Sequence, residues 1–204
     1  MPRASSAKTR RNSVRGRANS EALLAAAHRL VVERGDSFTT QDLVKEADVA
    51  LQTFYRHFGG KDQILLAVVA DLIAERCRML ADQTEAMSDP VERLRFYISG
   101  TLSTIGLRGP GGARFMTSQH WRLYQAYPEE LAAATKPFAA LVQTALEAGR
   151  DAGVLHPNDP ERDAWMISEL VMAVFHHYAF ADADPGAATV AEDVYRFCLA
   201  AVGA

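Results

Sequence analysis

Between Thr39 and Lys61 the chain reads TTQDLVKEADVALQTFYRHFGGK, and its second half concentrates side chains that exchange hydrogen bonds with a polar partner. On a helix advancing about 100° per residue, Phe54 and Phe58 share one side, Gln52, Thr53, Arg56 and His57 fall opposite, and Tyr55 sits at the border. The arginine fork matches guanine, the glutamine amide matches adenine, and the Thr53 methyl suits thymine, all in a major groove that admits a helix. Thr40 and Gln41 at one helix start, the Tyr55 hydroxyl, and Lys61 at another helix start are of the kind that hold phosphate. Singly, each has a plainer explanation. Thr40 caps a helix in any protein, Tyr55 can be a half-buried core residue, Lys61 an ordinary solvated lysine, and a lone histidine such as His57 is ordinarily neither ligand nor catalyst. Together on one face, they point to double-stranded DNA.

Other chemistry has little support. The chain has no Gly-x-Ser-x-Gly, no phosphate-cradling glycine loop and no His-Glu-x-x-His. His176 and His177 are adjacent, so a helix would aim them about 100° apart, which does not suit one metal. Cys77 and Cys198 are far apart, without a Cys-x-x-Cys or a histidine at ligand spacing, and read as core or interface residues of a reducing cytoplasm. No catalytic residue, metal ligand or cofactor is expected. A helical enzyme stays as the remotest alternative, and it would lack salt-dependent binding to duplex DNA.

Charge is divided unevenly along the 204 residues. Residues 1–60 carry 10 Lys+Arg against 6 Asp+Glu, whereas the rest carry 12 against 19. A basic head on an acidic body suits a protein that meets a polyanion at one end only. The first twenty residues hold Arg3, Lys8, Arg10, Arg11, Arg15 and Arg17 and no acid. They read as a solubilising disordered tail, a targeting segment, or an arm along phosphates or in a minor groove; a neighbouring DNA-reading helix favours the arm. The segment lacks the apolar stretch of a signal peptide. The apolar run from Trp165 to Phe180 is interrupted by Ser168, Glu169, His176 and His177, so a soluble cytoplasmic protein without a membrane partner is expected.

Positioning those residues requires helices, because apolar residues recur at helical and not strand spacing. An all-α chain of about nine helices is predicted. The first runs from a Ser20 cap to Arg34 and is closed by Gly35, the second is capped by Thr39 or Thr40, and the third spans roughly Leu51 to His57. Lys61 opens a long fourth helix to about Ala86, and Ser88-Asp89-Pro90 launches a fifth to about Leu107. After a loop at Arg108–Gly112 come a sixth, Ala113–Tyr127, and a seventh, about Glu129–Asp151, bent or restarted at Pro137. An eighth, about Glu161–Ala181, reads as apolar nearly all round, and a ninth covers about Ala188–Val202. The expected division is a disordered basic arm, 1–19, a helix-turn-helix head, 20–66, and a ligand-binding and dimerisation body, 67–204.

The segment from Leu23 to about Val69 resembles the tetracycline-repressor (TetR) family of bacterial transcriptional regulators. The matching residues are Leu24-x-Ala-Ala, Gly35, Thr39-Thr40-x-Asp-Leu, Ala47-x-Val49, Thr53-Phe-Tyr-x-His-Phe58, and Lys61 with Ile64-Leu65. The resemblance implies a three-helix DNA-binding head and a larger body that dimerises through its last two long helices and holds a ligand cavity. It also places Leu51 at a base-contacting position, although its angle on the helix lies near the core face. Asp48 stands where the turn usually has Gly, and Ala50 where a Ser or Thr cap is usual.

A head reads one half-site, so specific binding calls for a homodimer on a palindromic or near-palindromic operator. Ile167, Leu170, Val171, Val174 and Tyr178 of the eighth helix, with Val194, Phe197 and Ala201 of the ninth, are the interface candidates; an intrachain core is the alternative. Phe96, Phe115, Met116, His120, Trp121, Tyr124, Phe138, Trp165, Met172 and His176 are candidates to line a pocket for a hydrophobic small-molecule effector, and the same residues equally describe a helical core. The functional expectation is repression by operator binding. An effector that binds better when the fourth helix is tilted would relieve it by changing the spacing of the two heads. A DNA-binding regulator or architectural protein without an effector is the alternative.

Overall fold

Prolines, glycines and short polar residues set the helix limits in the computed structural model, which describes residues 3–106, 112–181 and 186–203, with side chains of the first helix from residue 14 onward. Among the described residues the chain is all-α. The helices are α1 (Arg3–Arg34), α2 (Thr40–Glu46), α3 (Leu51–His57), α4 (Lys61–Thr84), α5 (Pro90–Leu102), α6 (Ala113–Ala126), α7 (Pro128–Asp151), α8 (Pro160–Ala179) and α9 (Ala187–Ala201), with a 3-10 turn at Ser103–Gly106 after α5. They fall into two compact units, residues 1–68 and 69–204, and the boundary lies within α4.

Several limits differ from the sequence expectation. The first helix starts at Arg3 and not at a Ser20 cap, so residues 3–19, expected as a disordered arm, are helical. Nothing in that stretch breaks a helix except Gly16, and its Ala, Arg and Lys residues favour one. α5 ends at Leu102 and tightens into the 3-10 turn, five residues before the expected end. Residues 107–111 of the expected loop lie outside the described residues. α7 continues through Pro137, which is exposed and lies within the helix's first three turns.

In the first unit α1, α2 and α3 pack on one another. Leu23, Ala27, Leu30 and Val31 of α1 close on Phe38, Leu43 of α2 and Phe54 of α3, all nearly or fully buried. Two helices of only seven residues cannot persist alone, so this core and the end caps hold them. Thr39 caps α2 in a reciprocal box: its hydroxyl accepts from the Asp42 N–H at 3.1 Å, and the Asp42 carboxylate accepts from the Thr39 N–H at 2.8 Å. The Thr39 hydroxyl also donates to the Asp42 carboxylate at 2.7 Å, and that bond, followed by the one from the Thr39 N–H, pulls the Asp42 carboxyl below its ordinary range.

The second unit is built on α7 packed along α8, with α5 against α7, α8 and α9 and with α6 against α7 and α8. Leu80, Leu94, Ile98, Val142, Leu146, Leu155 and Val171 form its fully buried centre. Cys77 and Cys198 belong to this core as free thiols, and burial pushes both up to about 11. α7 ends in a Schellman turn: Val154 N–H donates to the Gly149 carbonyl at 2.9 Å, Gly153 N–H to Arg150 at 3.0 Å, and Gly153 takes φ +69°. The turn folds Leu155 back onto Gly149 so closely that no side chain fits at 149.

α8 is less uniformly apolar in its surroundings than its sequence implied. One side is buried through Ala164, Ile167, Ser168, Val171 and Phe175, and the opposite side exposes Trp165, Met166, Glu169 and His177. Ile167, Val171 and Val194, expected at an interface, are buried among the chain's own helices, the placement that the intrachain-core alternative describes. They follow the i, i+4 stripe that faces inward. Leu170, Val174 and Tyr178 are half-buried beside that core, and Phe197 (68% exposed) and Ala201 face outward.

Candidate functional site

The turn between α2 and α3 determines what α3 presents. α2 closes in a second Schellman turn, with Val49 N–H donating to the Val44 carbonyl at 3.0 Å and Asp48 N–H to Lys45 at 3.3 Å. Asp48 occupies the left-handed position at φ +52°, the only described non-glycine residue with positive φ. Asp tolerates that region better than most side chains, so the expected turn forms without the usual Gly. Ala50 then stands at the N-cap of α3 in extended conformation and offers no side-chain bond. The first turn of α3 is held through the Ala50 carbonyl, which accepts from Thr53 N–H at 2.8 Å.

Phe54 is the anchor of α3. It is fully buried, stacks on Phe58 at 6.0 Å and meets Tyr55 edge-on at 5.1 Å. With Phe54 inward, Leu51 (40% exposed), Gln52, Tyr55 (54% exposed) and Arg56 point to solvent, as does Gln41 at the start of α2. Leu51 thus faces outward, in accord with the resemblance and against its simple helical angle. Thr40 and Thr53 are half-buried.

Two candidates are already engaged within the unit. Lys61 donates from Nζ to the Asp36 carbonyl and lies 4.9 Å from the centre of the Phe38 ring. His57 is half-buried beside α1, its Cε1 only 3.7 Å from where a side chain at Gly16 would begin, and its Nε2 is enclosed without a hydrogen-bond partner among the described residues. The sequence reading missed this packing because it began α1 at Ser20, beyond Gly16.

A second feature lies within the body. A cavity of about 890 Å³ is lined by α6, α7 and α8 with Ile73 of α4. His120, Trp121, Tyr124, Phe138, Trp165, Met172 and His176, all expected, line it. Phe96, Phe115 and Met116 do not: Phe115 is buried, and Phe96 and Met116 are half-buried against the core. Phe115 and Met116 precede the cavity-lining turn of α6, and their direction on that helix was beyond a residue-type argument.

The polar pole of the cavity is a histidine pair. The His120 and His176 rings lie 4.4 Å apart between centres, and His176 Nδ1 is 2.9 Å from the Thr117 hydroxyl. His176 Nε2 is buried with no partner among the described residues. Burial, then the neighbouring His120, pushes His176 down to about 4, and burial also lowers His120. Thr117 was not anticipated, yet Thr117, His120 and Tyr124 recur at helical spacing and that pattern was readable. Lys136, Glu169 and His177 line the cavity as well. Among the described residues no group of three or more His, Cys, Asp or Glu side chains is arranged to hold a metal ion, and no helix is long and apolar enough to cross a membrane.

A three-helix head with a short exposed helix after a tight turn, followed in sequence by an all-α body with a cavity, is a helix-turn-helix arrangement. Residues 23–68 match the sequence model of bacterial regulatory proteins, tetR family. The same region brings similarity to an uncharacterized HTH-type transcriptional regulator, YvaF, of Bacillus subtilis (strain 168), 40% identical over 53 residues. That alignment covers 26% of this chain and 28% of YvaF. Across nearly the whole length the fold is similar to FadR of Thermus thermophilus, a TetR-family transcriptional repressor solved with lauroyl-CoA, at TM-score 0.72 and 22% identity, covering 90% of this chain and 95% of that one. It is also similar to RolR solved with resorcinol, at TM-score 0.70 and 18% identity, covering 94% and 90%.

Proposed function

We propose that this protein is a ligand-responsive, sequence-specific DNA-binding transcriptional regulator, a repressor that leaves its operator when a hydrophobic small molecule occupies the body. The observation that carries the reading is the outward row of Leu51, Gln52, Tyr55 and Arg56 on a helix anchored by Phe54, within the segment matched to the family. Arg56 and Gln52 supply base-edge hydrogen bonds, Leu51 an apolar contact, and Tyr55, Gln41 and Thr40 phosphate contacts. Lys61 and His57 act by bracing the head and not by reaching DNA, since both are occupied or enclosed within it.

Affinity for an operator comes from two heads, so the active form is a homodimer on a palindromic or near-palindromic site. Phe197 and Ala201 of α9 with the half-buried Leu170, Val174 and Tyr178 of α8 form the contact surface in this reading. That the similar proteins were solved with lauroyl-CoA and with resorcinol supports an apolar or aromatic effector in the body cavity. Release requires the effector to bind the non-DNA-binding state more tightly. Selection of bound duplexes from a random pool tests the proposal: a recurrent two-fold motif is expected. Arg56→Ala should weaken binding to that motif by about 1–3 kcal/mol and relax preference at one position per half-site. Recovery of unrelated sequences by the wild type would sink it.

A further inference from the structure

The cavity's composition narrows what it takes. It is walled largely by apolar and aromatic side chains, and both tryptophans of the chain, Trp121 and Trp165, stand in its lining while remaining 57% exposed. Flat aromatic surfaces at an opening receive a flat ring by offset or edge-on contact. The buried and half-buried polar groups in the lining include Ser168, whose hydroxyl donates to the Ala164 carbonyl, and two imidazoles, one of which has a nitrogen with no partner among the described residues. Thr117, only 2% exposed, fixes the His176 ring through Nδ1, leaving Nε2 as the unpaired position. A buried nitrogen left unpaired costs about 1–3 kcal/mol, and since Nε2 is closed off from the open space of the cavity, a ligand group recovers that cost by bonding it after a turn of the imidazole.

Charge separates the candidate heads. Held low by burial, the imidazoles are uncharged near neutral pH. The basic and acidic side chains in the lining, Lys136 and Glu169, are exposed and of opposite sign. A carboxylate would therefore meet no net positive field beside the histidines and would lose its own hydration. A hydroxyl both donates and accepts, so it satisfies an imidazole nitrogen in either tautomer.

We propose that the cavity is built for a neutral aromatic molecule bearing a hydroxyl, its ring between Trp121 and Trp165 and its hydroxyl on the His120–His176 pair. This rests on the effector reading above but is tested apart from it.

The two tryptophans report occupancy directly. Titration of intrinsic fluorescence with 4-propylphenol, its methyl ether and 4-propylbenzoate should give binding of the phenol about 10-fold tighter than the ether, the equivalent of ~1.4 kcal/mol, and the benzoate weakest. In His176→Phe the phenol and ether should bind within about 2-fold of each other, with ether affinity retained. Thr117→Val, which frees the imidazole without removing it, should give an intermediate ratio and serves also if His176→Phe does not fold. Equal binding of phenol and ether by the wild type, tighter binding of the benzoate, or an unchanged ratio in both variants would overturn the assignment. The same phenol is then added to the complex with the selected duplex. Hydroxyl-selective binding that leaves DNA affinity unchanged upholds the cavity assignment and defeats its role as effector. DNA release by a compound bound without hydroxyl preference does the reverse.

Discussion

Asp48 shows how one residue determines whether a helix is presented at all. At φ +52° its backbone sits where a β-branched side chain collides with its own chain. Asp48→Val should cost about 1–2 kcal/mol in urea unfolding, while Asp48→Gly should be neutral or mildly stabilising, because the relief of strain offsets the greater freedom of the unfolded glycine. Two residues on, Ala50 leaves α3 without a side-chain cap. Ala50→Ser should add about 0.5–1 kcal/mol, and a variant no more stable than the wild type would show that the Thr53 bond to the Ala50 carbonyl already suffices. Within the cavity, His176 titrates near 4 when folded and near 6.5 when free. Between those values the unfolded chain binds a proton that the folded one refuses, so stability declines as pH falls across that window. His120 shifts in the same direction, while Tyr124, Lys136, Glu169 and His177 complete the titratable groups in the lining. His176→Phe should flatten the fall in Tm between pH 7 and pH 4; an equally steep fall would show that another group controls it.

At the scale of elements, punctuation was legible and orientation was only partly so. Gly35, Thr39 and Asp89-Pro90 mark helix limits by local chemistry, and those limits stand within a residue or two. The start of α1 was not legible, because Ser20 caps a helix only if the chain before it is not already helical. On α8 the composition suggested an all-apolar cylinder, yet burial follows the Ile167–Val171 stripe, and a composition argument does not choose between adjacent apolar stripes. The line-up of His120, Trp121, Trp165 and His176 around one cavity was legible as residue types but not as a place, since it needs three helices in register. Close approach between elements is equally invisible to composition. Gly149 admits α7's closing turn because Leu155 Cδ1 lies 2.4 Å from where a Cβ would stand. Gly149→Ala should therefore cost about 1–3 kcal/mol by overpacking, although alanine is the better helix former; a thermal melt unchanged from wild type would contradict this.

For the whole molecule, the division of charge between residues 1–60 and the remainder makes any DNA affinity strongly salt-dependent. The slope of log affinity against log salt should fall by about one for each phosphate contact removed from the head, and not at all for a neutralised lysine of the body such as Lys136. The two thiols give a different kind of access to the molecule. Cys77 and Cys198 are both in the second unit, 6% and 1% exposed, and the first sixty-eight residues contain no cysteine. A disulfide reagent attacks a thiolate it can reach, and the folded body offers neither exposure nor ionisation. Labelling is then a clock that runs only while the body is open, and melting of the head passes without a mark on it.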